Sequence, residues 1–570
     1  MLATLSRNLL VALLLTEILW PEPTAADVLV VCPDQLTTAI EPWIDYRRNQ
    51  GYKVVRIASQ SSASKLQEKI RKYASEHPLE AILLVGDAQM SGEGGISTEA
   101  HCKNYVPTHY HKAKIITPYA GDKIIATDNP FGDLDGDHVA EIPVGRLPVD
   151  RPEDLARLVK RIIAYEANSD FSSWRRQINL VAGVGGFGPL IDSMIEGSTK
   201  TFLISKIPPA YQTSMTQANW QSPYCPDPRQ FRKTVLHRLN EGCMFWIYLG
   251  HGHVDKLDRL QVPGGAYPIL EYGDATSLHA VTGAPIALLF CCYAAAFDAP
   301  TDCLAEEMLR SKAGPIAVLG GSRTTMPYAM TALGDALMNE YFQKRRATLG
   351  EVLMHAKRKM ADKDADNGNR IWMDRFASLL GNTASQREAE RHEHIHLFNL
   401  LGDPLLKLTP PQLVPVVAPR IVEQGEAVSI EIDTPLAGIA TVELIVRRGT
   451  LITQPMGREQ LDFSSAQLDK FQEEYWRANN QQLDRQQHFI QPGPQTFTLQ
   501  LPPDFIGPCH ARIYVEGVEG FALGAADIYV DGRTRPARSA KKVLEIEIGD
   551  AKAKETDFFN RRERVGKTSY

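Results

Sequence analysis

The feature that most constrains this chain is a repeated alternation between short runs apolar at almost every position and polar–apolar helical stretches. "DVLVVCP" is followed by a helical pattern over 36–49, then "YKVVRIA", a helix over 63–74, and "EAILLVGD". After residue 150 the alternation resumes. A helix over 152–167 precedes "INLVAGV", helices near 191–204 and 230–239 follow, and three apolar runs come in turn: "CMFWIYLG", "PIALLFCC" and "PIAVLGG". Strands apolar on both faces belong inside a parallel sheet that helices cover on both sides. Two consecutive α/β units are therefore expected, and 570 residues leave room for more than one core.

Character changes at "LFNLLGDPLLKLTPPQLVPVVAP", whose Pro-rich segment 410–419 is a linker signal. Beyond it "AVSIEID", "ATVELIVRR", "QTFTLQL", "HARIYVEG" and "AADIYV" read as short strands of a small β-sandwich, interrupted by a helix-prone insert over 464–487. At the other end, Arg7, the apolar stretch 9–15 and Thr24-Ala25-Ala26 have the order of an export signal, and the run is too short to span a bilayer. The expected organisation is a signal peptide over 1–26, α/β subdomains over 27–150 and 151–410, a β-sandwich over 411–531 and a charged, loosely ordered tail over 532–570. The chain is then exported, to the periplasm, the cell surface or the medium, with no transmembrane anchor beyond the signal.

A formal charge of −6 gives no basic excess, which argues against nucleic acid as a partner. Eight cysteines are too sparse for a disulfide scaffold, and no CxxC zinc pattern occurs. Only Cys291 and Cys292 are adjacent, and they invite two readings: a strained vicinal disulfide or a reactive thiol beside a buried one.

The reactive reading gains weight from position. "FWIYLG" ends in His251-Gly252, and "IALLF" ends in Cys291-Cys292. Ligand-facing residues gather at the carboxyl ends of strands in open α/β sheets. If the two strands are parallel neighbours, an imidazole and a thiol stand side by side. Thiol catalysis needs that pair: a thiolate to attack a carbonyl and an imidazole to protonate the leaving amine.

In this order, "WIYLGHG", "IALLFCCYAAAFD", the preceding "DLDGDHVAEIPVGRLPV" and the closing "FNLLGDPLLKL" resemble the gingipain-type cysteine peptidases of the caspase/legumain clan. The resemblance runs over roughly 27–531. It implies caspase–haemoglobinase-like parallel sheets in two consecutive units followed by an immunoglobulin-like β-sandwich. It implies protein or peptide substrates and chemistry that needs no cofactor. It assigns the general acid/base to His251 rather than His253. The nucleophile is Cys292, five residues before Phe297, with Cys291 in reserve, and the amides of Gly252 and Cys292 form the oxyanion hole. It also places "GGSRTTMPY" beside the pocket for the residue before the cut. There Arg323 would repel a basic side chain and favour an acidic or small one. Three departures stand out: Val184 occupies the position of a histidine-orienting glutamate, Asp192 and Glu196 are out of register with a basic-specific pocket, and a fold starting at Asp27 leaves no room for an N-terminal pro-domain.

Two further groups could hold metal. Asp133, Asp135 and Asp137, beside Asp128, offer hard oxygen ligands suited to a structural Ca²⁺, or simply form a solvated acidic turn. His392, His394 and His396 would share one face of a strand. Two rival functions therefore remain beside the peptidase: an inactive peptidase-fold binding or scaffold protein, which Val184 favours, and a metal-dependent hydrolase.

Overall fold

The computed structural model describes residues 26–88, 104–119, 121–185, 206–280, 282–362 and 368–532. The first unit supplies β1 (Asp27–Val31), β2 (Lys53–Ile57), β3 (Leu79–Val85), β4 (His109–Lys112), β5 (Ile124–Thr127) and β6 (Val144–Leu147). The second supplies β7 (Gln177–Ala182), β8 (Gln212–Gln217), β9 (Phe245–Leu249), β10 (Arg259–Val262), β11 (Gly265–Pro268), β12 (Ile286–Phe290), β13 (Ala317–Gly321) and β14 (Phe398–Leu401). The expected signal peptide, the 191–204 helix and the tail beyond Gly532 lie outside the described residues.

The two units do not build separate sheets, as the alternation alone suggested. Ten strands form one sheet in the order β2-β1-β3-β6-β14-β13-β12-β9-β7-β8. Every neighbouring pair is parallel except β13 with β14. β14 comes last in the chain, yet it inserts between β6 and β13, so the strands of the two halves run in opposite directions. All four residues of β14 are buried, as are all five of β1, β12 and β13. The continuous apolar runs follow from that two-sided burial.

One buried guanidinium inside this frame is matched donor for donor. Arg146 on β6 is fully buried. Its five N–H groups reach both Asp128 oxygens (2.7 and 2.8 Å) and the carbonyls of Gly86, Val106 and Pro107 (3.0, 2.9 and 3.3 Å). Next to it Gly145 has no space for a side chain, because a Cβ would stand 2.4 Å from the Gly402 carbonyl oxygen. Asp403 accepts from Arg47 (2.6 Å) and Trp43 of the helix Thr37–Asn49, and Arg47 also forks onto Glu166. The "GDP" motif is thus a structural clasp rather than part of a site.

The linker leads into β15 (Gln412–Leu413), β16 (Val416–Val417), β17 (Ile421–Glu423), β18 (Ala427–Thr434), β19 (Gly438–Val446), β20 (Gln482–Ile490), β21 (Gly493–Gln500), β22 (Gly507–Gly517) and β23 (Phe521–Asp531). They form a six-stranded and a three-stranded sheet around their own apolar core. The helix-prone insert is shorter than the sequence suggested. It ends at Asn479, and "QLDRQQHFI" pairs as β20 along β19, an exposed polar strand without an apolar run to announce it.

This β-domain docks through Glu443, which lies between Arg176 of the α/β part (2.8 Å) and Arg512 (2.6 Å), all three buried. Burial by itself would raise the Glu443 carboxyl. The two guanidiniums outweigh it and hold the group down to about 2, while burial pushes Arg512 down to about 10, so part of the gain is offset. A carboxylate held below its ordinary ~4.3 contributes stability that is complete above that value and is lost as pH falls through the folded one. Glu443→Gln leaves two buried cations facing a neutral amide, at an expected cost of about 3–5 kcal/mol at pH 7. In urea titrations the gap to wild type should narrow as pH falls from ~4 toward ~2.

Candidate active site

β9 and β12 are adjacent, parallel and in register, with Leu249 opposite Phe290 and the Gly250 amide donating to the Phe290 carbonyl at 3.3 Å. Both strands therefore release their chains at the same level of the same rim. Gly252 brings the two ends into contact. A Cβ there would stand 2.6 Å from the Cys292 carbonyl oxygen and 2.7 Å from the Cys291 sulfur, so only glycine permits this approach. His251 is half-buried and His253 exposed. The Tyr248 hydroxyl donates to the His251 carbonyl at 2.7 Å and fixes the main chain that carries the imidazole.

The two cysteines separate cleanly. Both are free thiols, so there is no vicinal disulfide. Cys291 is buried, and burial, helped by the neighbouring Cys292, pushes its thiol well above the ordinary range. Cys292 is partly exposed, and its sulfur accepts the Thr325 amide at 3.3 Å with the Thr325 hydroxyl at 3.5 Å. Neither the Gly252 nor the Cys292 amide has a backbone acceptor among the described residues. Tyr293 has φ 59°, an uncommon left-handed conformation for a residue with a side chain. Its amide is held by the Arg323 carbonyl at 3.2 Å, and the Ala295 amide by that of Gly321 at 3.1 Å. The strained turn is thus tied to the end of β13.

Arg323 is not where a substrate-facing cation would be. It is buried and forks onto Asp298 at 2.8 and 2.6 Å, with its Nε 3.0 Å from Asp122 in an ion-pair contact lacking hydrogen-bond alignment. Its charge is already matched within the fold. Val184 is half-buried against the main core and presents no carboxylate, and Asp192 and Glu196 lie outside the described residues.

The supposed metal groups are also rearranged. Asp133 accepts the Gly136 and His138 amides, Asp135 that of Asp137, and Asp137 that of Val139, so the acidic turn satisfies itself. The carboxylates that converge are those of Asp133, Asp135 and Glu141, without Asp137. A second convergence, Asp87 with Asp302 and Glu306, is assembled from segments far apart in sequence, which no motif could reveal. The 392–396 histidines lie on the helix Ala384–Leu397, not on a strand, so alternate residues diverge. His394 accepts the Met326 amide at 2.8 Å, while His396 stacks on His111 with ring centroids 4.0 Å apart.

Fold and site together define a class: an α/β protein with a thiol and an imidazole at neighbouring parallel strand ends. The sequence profile of peptidase family C25 matches residues 21–409, and the chain belongs to that family. Gingipain R2 of Porphyromonas gingivalis strain W83 is 24% identical over 364 residues, covering 60% of this chain and 44% of that protein. Lys-gingipain of the same species is 24% identical over 317 residues, covering 52% and 16%. The chain thus spans less than half the length of these curated relatives. Among solved structures, a protease matches with TM-score 0.50 at 15% identity, covering 89% of this chain and 98% of its own. The Arg-specific cysteine proteinase gingipain R gives TM-score 0.48 at 16% identity, covering 90% and 99%. No helix among the described residues is long and apolar enough to cross a membrane.

The placement of Arg323 has a direct consequence. Arg323→Met strands buried Asp298 and should cost about 3–5 kcal/mol of stability. In a fluorogenic library varied at the residue before the cut, it should lower turnover of all members alike. A selective gain for Arg or Lys would instead show that Arg323 faces the substrate.

Proposed function

We propose that this protein is an exported cysteine endopeptidase whose nucleophile is Cys292 and whose general acid/base is His251. The observation that carries the reading is the close approach of Gly252 to the Cys292 carbonyl and the Cys291 side chain, which brings the histidine-bearing and cysteine-bearing strand ends together. Membership of the peptidase family supports it, and the substrates are then proteins or peptides. The Cys292 thiolate attacks the scissile carbonyl carbon, while the Gly252 and Cys292 amides receive the developing oxyanion. His251 passes its proton to the leaving amine as the thioester forms. It then takes a proton from water as water attacks the thioester and frees the acid. The Thr325 amide donates to the sulfur at 3.3 Å and holds the nucleophile in place. No step calls for a metal or an organic cofactor. The carboxylate groups at Asp133/Asp135/Glu141 and Asp87/Asp302/Glu306 have oxygen donors of the kind Ca²⁺ takes, in a structural role. The domain after the linker fits an immunoglobulin-like sandwich, and the apolar N-terminus fits an export signal.

A peptidyl acyloxymethyl ketone should label Cys292 and leave Cys291 unmodified, as peptide mapping would read. Cys292→Ala should abolish both labelling and cleavage, whereas Cys291→Ala should only weaken them. The reverse pattern would move the nucleophile by one residue. Complete inertness of the wild-type thiol would favour the binding-protein reading that Val184 allows.

His251→Ala should lower kcat by about 10²–10⁴-fold, the range for losing a general acid. His253→Ala should cost far less, because that side chain is exposed beyond Gly252. Equal losses would dissolve the assignment.

A further inference from the structure

The helix Gly368–Leu379 turns one face to the protein and another to solvent. Inward, Met373 packs with Ala332 and Tyr328, and Asp374 accepts the Tyr328 hydroxyl at 2.5 Å. Asn369 donates to Asp335 at 2.7 Å. Outward, Ile371, Trp372, Leu379 and the following Leu380 are 44, 64, 81 and 44% exposed. Only three other large apolar side chains are exposed among the described residues before the linker: Tyr119 and Ile124, five residues apart, and Tyr272. Concentrated in ten residues, the outer group is a patch, not scatter.

Its position suggests what covers it. The Thr325 amide and hydroxyl face the Cys292 sulfur, and Tyr328, three residues on, is the residue that Asp374 and Met373 grip. The patch is therefore carried by an element braced on the helix Pro327–Phe342, whose first turn directly follows the loop beside the nucleophile. A patch of this kind covers on the order of 300–600 Å², below the ~800 Å² per partner of a stable dimer. Arg375, lying over Trp372, is the one charge on its outer face, too few for an anionic lipid surface.

We infer that this outer face is an exosite that takes an apolar segment of the polypeptide being cut, beyond the residues flanking the scissile bond. The inference rests on the peptidase reading and extends it to substrate class: extended protein chains with apolar stretches over short peptides. Trp372 supplies a rigid flat anchor and Leu379 the second contact, the side-chain types through which few-residue patches gain affinity.

The test compares W372S/L379S with wild type on two substrates, fluorescein-labelled β-casein and a short fluorogenic peptide covering only the residues around the cut. Casein binding to each, in the Cys292→Ala background, is read by anisotropy. Casein kcat/KM should fall about ten-fold or more through KM, casein Kd should rise alongside, and peptide turnover should stay unchanged. Equal losses on both substrates, or no change on either, would overturn the exosite. So would lost self-association, or lost binding to phosphatidylglycerol vesicles, with casein unaffected. If wild type cuts neither substrate, the peptidase reading fails, and casein binding to the two Cys292→Ala proteins decides the exosite alone.

Discussion

The interaction on which the rest depends is the complete satisfaction of Arg146. Burying a guanidinium costs several kcal/mol and is repaid only when every donor finds a partner in good geometry. Here the five acceptors come from the ends of β3 and β5 and from the segment 106–107, so three separated stretches of chain are fixed around one side chain of β6. The guanidinium also lies over the Phe297 ring, 5.3 Å from its centroid. Phe297 ends the turn that begins at Cys292. Two motifs that looked independent, "VGRLPV" and "CCYAAAF", are therefore two sides of one contact, and the first half of the sheet braces the Cys292 turn of the second.

A second ion pair completes that brace from the other side. Asp298 follows Phe297 and is gripped by Arg323, whose own carbonyl holds the Tyr293 amide. The left-handed Tyr293 turn persists because residues on both sides are over-determined, which is the condition for keeping local strain. Arg323 thus acts as a clamp within the protein, and its rank beside the pocket is a property of its neighbours in sequence, not of its guanidinium.

What was legible in the sequence follows from how local each feature is. Continuous apolar runs report two-sided burial, so the strands and the parallel class could be read. Two such runs ending in His251-Gly252 and Cys291-Cys292 are adjacent because strands of one unit pair in register. That β14 would cross into the first half could not be read, since four buried residues say nothing about which neighbour they take. The 392–396 set misled for a related reason: alternation of histidines has period two, but capping by Thr383 and Gln386 starts a helix that carries through them. In β20 the failure ran the other way, because an edge strand with polar residues on both faces leaves no period to detect.

The glycines near the site share one cause that composition could not expose. A Cβ on Gly183 or on Gly250 would stand 2.6 Å from the Tyr248 hydroxyl oxygen in either case. Burial raises that phenol well above its ordinary range, so it remains a hydrogen-bond donor. Its proton goes to the His251 carbonyl, and its oxygen meets the Asp258 amide at 3.4 Å. Two glycines therefore make room for one hydroxyl, and that hydroxyl sets the main chain of the histidine. The main chain that carries the imidazole is thus held by a tyrosine on the strand that leads into it.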